Sequence, residues 1–163
     1  MKLPIRALLT CATLLPATAA LAWSPEWEQC KDVNNKDAVE RAIAACTHIL
    51  ALDSERPNYA MALRNRCGIK YTANDYDGAL EDCNRAVSMD PKSAIGYERR
   101  GHVFVMKGET KRAMADYDEA IRLDPRNAYA LNARGHLKQR LGDNAGGDAD
   151  IARAEKIKPD INQ

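Results

Sequence analysis

The sequence predicts an all-α fold, a stack of tandem helical hairpins, and three observations carry that prediction. Prolines stand at Pro57, Pro91, Pro125 and Pro159, each 34 residues from the next. Within each period, apolar residues recur at helical spacing in two runs. A turn separates the runs at Asn74-Asp75, Gly108-Glu109 and Gly142-Asp143. A fixed period of this length marks one supersecondary unit copied in tandem, each copy covering its apolar face with its neighbour.

Residues 1–22 read as a secretory signal peptide and stand outside the fold. Lys2 and Arg6 give a positive start, Ala7 to Leu15 form a short apolar core, and Ala20-Leu21-Ala22 is a small-residue cleavage signature. The apolar run is short and is interrupted by Pro16, whereas a bilayer span needs about 20 apolar residues. A lipid anchor through Leu8-Leu9-Thr10-Cys11 fits less well, because Thr10 stands where a smaller residue is usual. Cleavage after Ala22 leaves 141 residues, one domain by length. It removes Lys2 and Arg6, so 24 basic side chains become 22 against 23 acidic ones, a net charge of −1. So balanced a chain lacks the clustered basic excess of a nucleic-acid or anionic-membrane surface.

Residues 23–56 form a degenerate first hairpin. Ser24-Pro25-Glu26 starts a helix with proline in its first turn. Asp37-Ala38-Val39-Glu40 offers a capping box for a second helix carrying Ala42, Ile43, Cys46, Ile49 and Leu52 at helical spacing. Leu52-Asp53 matches Met89-Asp90 and Leu123-Asp124, so Pro57 is displaced by a three-residue insertion, Ser54 to Arg56.

Residues 57–163 hold three regular copies, 60–93, 94–127 and 128–161. At the turns, Gly in the left-handed region closes the first helix, and the acidic residue suits the start of the second. The second helix ends near the proline, which lacks an N–H and restricts the residue before it. Ser93 and Asn127 stand as N-caps of the next copy. Leu80 and Val87, then Met114 and Ile121, are expected to face the following hairpin. Their counterparts Asp148 and Glu155 are polar, as a terminal repeat requires. The stack therefore reads as complete at that end.

The block Tyr97-Glu98-Arg99-Arg100-Gly101, with Gly108, Ala113, Tyr117, Ala120 and Leu123-Asp124-Pro125, resembles the tetratricopeptide repeat. The same slots hold Leu63, Cys67, Ala79, Cys83, Ala86 and Met89-Asp90-Pro91 in the first copy. They hold Leu131, Gly135, Gly147, Ile151, Ala154 and Ile157-Lys158-Pro159 in the third. The resemblance covers residues 60–159 well and 23–54 loosely, and it implies a right-handed α-solenoid. Two departures are Cys67, where glycine is usual, and Gly147, where alanine is usual. The second is expected to weaken the last helix by about 1 kcal/mol.

Signal cleavage also removes Cys11, leaving Cys30, Cys46, Cys67 and Cys83. An even number in an exported chain is a candidate disulfide framework with three connectivities. Cys67 and Cys83 lie at about the same height on either side of the Asn74-Asp75 turn. Cys30 and Cys46 repeat their 16-residue separation in the degenerate copy. The preferred reading is two staples, Cys30–Cys46 and Cys67–Cys83, although Cys46–Cys67 is also compatible with the spacing. Four buried thiols or a four-cysteine zinc site are the competing readings. The latter lacks the close C-x₂₋₄-C spacing.

Arg66, Arg100 and Arg134 recur in step with Asp82, Asp116 and Asp150, each pair level across its own hairpin. Paired forks that hold the hairpin register account for this better than an arginine ladder for an anion. If exposed, such pairs add little stability. His102 and His136 recur one period apart on first helices, and two histidines on helices about 8–10 Å apart do not make a zinc site.

The resemblance implies a concave surface, lined by the first helices, that holds peptide segments or partner helices. By slot it comprises Met61, Arg64, Asn65 and Gly68, then Ile95, Glu98, Arg99 and His102, then Tyr129, Asn132 and His136. The set of basic and amide residues with which some members clamp a C-terminal carboxylate is not matched, since Met61, Gly68, Glu98 and Ala133 occupy those regions. The mixed lining suits an extended segment or a helix. No catalytic constellation, phosphate-cradling loop or H-E-x-x-H motif is present. The expectation is a non-enzymatic, exported, periplasmic or secreted module without cofactor or metal. It would bind another envelope or secreted protein, with no nucleic-acid partner and no membrane span after cleavage. The alternative is a disulfide-stapled repeat of the Sel1-like kind acting on cell-wall-type ligands, from which this chain departs in repeat length and cysteine spacing.

Overall fold

A computed structural model describes residues 25–30, 36–52 and 58–161. Among them the regular structure is helical throughout: α1 (Pro25–Gln29), α2 (Lys36–Ala51), α3 (Tyr59–Thr72), α4 (Tyr76–Met89), α5 (Ala94–Met106), α6 (Thr110–Leu123), α7 (Ala128–Arg140) and α8 (Asn144–Ile157). Neighbours in sequence pack in pairs, and each pair packs on the next. The first helices α3, α5 and α7 also touch one another in series, which makes a helical-hairpin solenoid with one face built from first helices. The signal-peptide reading and the displaced Pro57 lie outside the described residues.

The turn inside each regular hairpin is one motif used three times. Asn74, Gly108 and Gly142 hold positive φ of 63°, 74° and 93°. The next residue's N–H then reaches back five positions, from Asp75 to the Lys70 carbonyl, Glu109 to Phe104 and Asp143 to Lys138, at 2.8–3.0 Å. This is the Schellman arrangement, which satisfies carbonyls the helix end leaves unpaired. Asp75 and Asp143 then cap α4 and α8 by accepting from the N–H groups of Gly78 and Gly146, at 3.0 and 2.9 Å. Glu109 departs from that expectation. It makes no side-chain cap, and its carboxylate pairs with Arg112 one turn along. Ser93 and Asn127 cap α5 and α7. The second helices end at Met89, Leu123 and Ile157, two residues before each proline, as the pre-proline restriction requires.

Among the described residues the first arm of the degenerate hairpin is helical over Pro25–Gln29, and Trp27 is buried at its centre against the cluster containing Cys30, Cys46 and Ile49. Helix α2 already includes Lys36 and Asp37, so it begins upstream of the capping box expected at Asp37.

One layer of each hairpin sets how closely its helices approach. Cys30 is bonded to Cys46 and Cys67 to Cys83, with Cα–Cα distances of 4.9 and 5.4 Å. At the same height in the next hairpin Gly101 faces Tyr117, and a Cβ on Gly101 would stand 2.6 Å from the ring. In the last hairpin two glycines meet. A Cβ on Gly147 would lie 2.7 Å from the Gly135 carbonyl oxygen and 2.6 Å from Gln139 Cγ. Gly147 is thus a requirement of the α7–α8 approach, and the expected loss of helix propensity is the lesser effect. Between hairpins, Leu80 and Met114 pack on the cluster containing Tyr117, Ile121 and Leu131, whereas Asp148 and Glu155 face outward.

The layer one residue earlier is ionic. Arg66, Arg100 and Arg134 each donate through Nε and Nη2 to both oxygens of Asp82, Asp116 and Asp150, at 2.6–2.8 Å. The carboxylates are buried, with Asp82 at 0%, Asp116 at 6% and Asp150 at 4% exposure. They are therefore not the exposed pairs for which little stability was expected. The remaining Nη1 donates to the preceding hairpin: to Thr47, Asn84 and Asp118, at 2.9, 3.3 and 2.7 Å. Burial pushes the Asp82 and Asp150 carboxyls up. Arg66 with Lys70, and Arg134 with Lys138, outweigh it and hold both below the ordinary carboxylate value.

A group whose folded pKa lies below its unfolded value stabilises fully above the latter and loses that contribution as the pH falls through the former. Unfolding stability should therefore decline below about pH 4, and Asp82→Asn should flatten that decline. The same substitution should cost about 3–5 kcal/mol at neutral pH by leaving Arg66 unpaired, as read by denaturant titration. Gly147→Ala should destabilise by about 1–3 kcal/mol, opposite in sign to its helix-propensity gain.

Candidate functional site

Helices α3, α5 and α7 present residues one period apart in rows across the concave face. The row nearest the helix starts is Met61, Ile95 and Tyr129, exposed at 37, 44 and 52%. Apolar side chains this open recur here because the slot faces away from both neighbouring hairpins. The following rows hold Arg64, Glu98 and Asn132, then Asn65, Arg99 and Ala133, then Gly68, His102 and His136.

These rows line a series of depressions that share residues. A cavity of 480 Å³ is bounded by Met61, Arg64, Asn65, Gly68, Tyr71, Thr72 and Arg99. One of 740 Å³ follows, with Arg99 again, Ile95, Glu98, Asn127, Tyr129 and Lys158. A third, of 280 Å³, takes up Tyr129 with His102, Tyr117, Asn132, His136 and Arg140. Arg99 and Tyr129 thus stand at the joints of a trough crossing three hairpins.

Polar groups in the trough are only partly satisfied. Arg99 Nη1 donates to the Arg64 carbonyl at 2.9 Å, and the guanidinium lies where a Cβ on Gly68 would be, 2.3 Å from Nη1. Gly68 therefore makes room for Arg99. Burial lowers the pKa of both arginines; Glu98 offsets this in part for each, and Asp90 does so for Arg64. Arg64 Nε and Asn132 Oδ1 are buried with no hydrogen-bond partner in the protein. Buried polar atoms without partners are uncommon and costly, and they mark places where a water or a ligand completes the bonding.

Several expected groove residues are less open than the slot pattern implies. Asn65 is buried at 8% exposure and reaches only the trough floor. His102 is engaged, with Nδ1 3.1 Å from the Tyr117 hydroxyl and Nε2 3.6 Å from Glu98. Burial raises the Tyr117 pKa, so its hydroxyl stays protonated. His136 contacts Gln139 on its own helix, at 3.4 Å. Both histidines line the 280 Å³ cavity, yet among the described residues no three His, Cys, Asp or Glu side chains are placed to hold a metal.

The trough also includes residues that slot reasoning missed. Lys158 hydrogen-bonds the Tyr129 hydroxyl and lies over its ring, 4.5 Å from the centroid. Its signal was present in the sequence, because Lys158 replaces the Asp that precedes Pro91 and Pro125. Tyr71 and Thr72 were legible too, because they extend the 61–64–65–68 face of α3 by one more turn to its end.

Residues 101–142 match a family model described as TPR repeat. The described hairpins share the fold of tetratricopeptide-repeat proteins. Solved structures agree with that fold. A crystal structure of MamA superposes with a TM-score of 0.65 at 23% identity, covering 77% of this chain and 71% of its own. A tetratricopeptide repeat protein from Parabacteroides merdae gives 0.68 at 21%, covering 84% of this chain, which spans 54% of that protein. The second TPR of Spaghetti (RPAP3), bound to the HSP90 peptide SRMEEVD, gives 0.58 at 21%, covering 61% of this chain and 92% of its own. No curated protein matches the sequence. The concave face of the repeats is thus the surface on which the trough lies.

Proposed function

We propose that this chain is an exported, non-enzymatic interaction module that holds an extended segment or helix of another envelope or secreted protein along the trough. The observation that carries this reading is the pair of orphaned buried atoms, Arg64 Nε and Asn132 Oδ1. A donor in one repeat and an acceptor two repeats on match the carbonyl and amide groups that a peptide backbone supplies. The exposed row of Met61, Ile95 and Tyr129 provides the apolar contacts. A neighbour of the same fold, the second TPR of Spaghetti, holds a peptide. The site residues are then Met61, Arg64, Ile95, Glu98, Arg99, His102, Tyr129, Asn132 and His136, with Asn65 at the floor.

Export rests on the signal-like residues 1–22 and on the two disulfides, which persist in oxidising compartments. Among the described residues no helix is long and apolar enough to cross a membrane. The domain reading is a degenerate hairpin over 23–56 followed by repeats over 57–163.

A photo-activated side chain at Ile95 should cross-link a discrete protein in the native exported fraction. The same group at Arg85, exposed on α4 and lining none of the cavities, should not. Tyr129→Ala should weaken that capture about tenfold while leaving the far-ultraviolet spectrum unchanged. Equal cross-linking from both positions would sink the groove reading. Intact mass should show a mature chain beginning at Trp23, with all four remaining cysteines refractory to alkylation until reduced.

A further inference from the structure

We infer that the trough selects a segment carrying an acidic side chain within its length, an Asp or Glu seated between Arg64 and Arg99, with apolar residues on both sides. This deepens the interaction-module reading and rests on it.

The two arginines lie on neighbouring first helices and bound the same 480 Å³ cavity. Among the described residues neither forms an ion pair within 4 Å, unlike Arg66, Arg100 and Arg134, whose forks are filled by buried aspartates. Arg64 Nε has no partner, the Arg99 guanidinium donates to the Arg64 backbone carbonyl, and the two guanidinium groups are near enough for Arg64 to help lower the Arg99 pKa. Two carboxylates act on the pair without an ion pair to either: Asp90, which shares a smaller depression with Arg64, and Glu98, which is turned to His102 at 3.6 Å and to Asn127 at 3.4 Å. Burial lowers both arginine pKa values, and Asp90 and Glu98 offset this only in part. A guanidinium is suited to a carboxylate because its donors lie in one plane.

The flanks decide that the acid lies inside a segment. Arg64 also borders a smaller depression that includes Met61, and Arg99 borders the 740 Å³ cavity with Ile95 and Tyr129. Open apolar side chains therefore run as one row alongside the arginine pair, from Met61 on the helix of Arg64 to Tyr129 one repeat past Arg99. A small free anion would leave them uncovered. A chain ending at the arginines would leave Tyr129 uncovered.

The test is selection of a randomised peptide library, blocked at both ends, on the full mature protein. Bound sequences should converge on one Asp or Glu with apolar residues on either side. Changing that acid to its amide should weaken binding about ten- to a hundredfold, and the affinity should fall with added salt. Arg64→Met and Arg99→Met keep the aliphatic stems, so they should lose the acidic preference while retaining the apolar one and the thermal midpoint. Arg64→Glu should shift the preference toward Lys or Arg. Peptides selected through Met61, Ile95 and Tyr129 with no acidic position would overturn the acidic-segment assignment and leave the interaction module standing. So would binders that need a free C-terminal carboxylate. Failure of every peptide to protect the trough from cross-linking would overturn both.

Discussion

The guanidinium of Arg66, repeated as Arg100 and Arg134, sets two geometries at once. Two of its nitrogens close on a buried aspartate of the same hairpin, and the third reaches the second helix of the preceding hairpin. A planar group with donors fixed in direction cannot satisfy both partners unless the hairpin register and the offset between hairpins are each correct. Removing the aspartate would strand a buried charge, so each fork is a cooperative constraint. Residues 34 apart then fall into rows, and an exposed apolar residue in one repeat becomes a stripe across three.

The adjacent layer shows several solutions to one packing demand. In the three regular hairpins the residue after each arginine faces the residue after each aspartate, and Cys30 and Cys46 hold the same slots after Gln29 and Ala45 in the degenerate one; each pair must fit between closely approaching helices. Two hairpins meet this with a disulfide, Cys30–Cys46 and Cys67–Cys83. The next sets Tyr117 over Gly101, and the last sets Ile151 over Gly135, with Gly147 one turn away letting the two backbones approach. The tyrosine solution reaches the binding face, because the Tyr117 ring is core while its hydroxyl meets His102 at the trough. Packing in one layer thereby sets the polarity of a groove residue.

Much of the fold was legible because its determinants are local and periodic. The positive-φ positions Asn74, Gly108 and Gly142, the caps Ser93 and Asn127, and the Arg–Asp steps each carry a chemical reason at a fixed offset. The start of α2 was less legible, since a capping box can be written by composition in a helix that begins upstream. Gly147 was misjudged because helix propensity concerns one helix, whereas its steric role depends on the Gly135 carbonyl of another. In the trough, slot position placed residues on the face and said nothing of their exposure. Asn65 is buried, His102 is engaged, and Tyr129 lies beneath Lys158 from 29 positions away.

Sequence alone determined the repeat unit, its turns and the residues able to pair, because these follow from backbone preferences and from side-chain chemistry within one period. Tertiary structure alone decided which polar groups end without a partner. Arg66 and Arg64 are two residues apart on one helix, yet one fills its fork with a buried aspartate and the other keeps an orphaned Nε in an open cavity. That difference arises from the direction each side chain leaves the helix: inward to its own hairpin, or outward to the concave face, where Asp90 and Glu98 act on Arg64 without an ion pair to it.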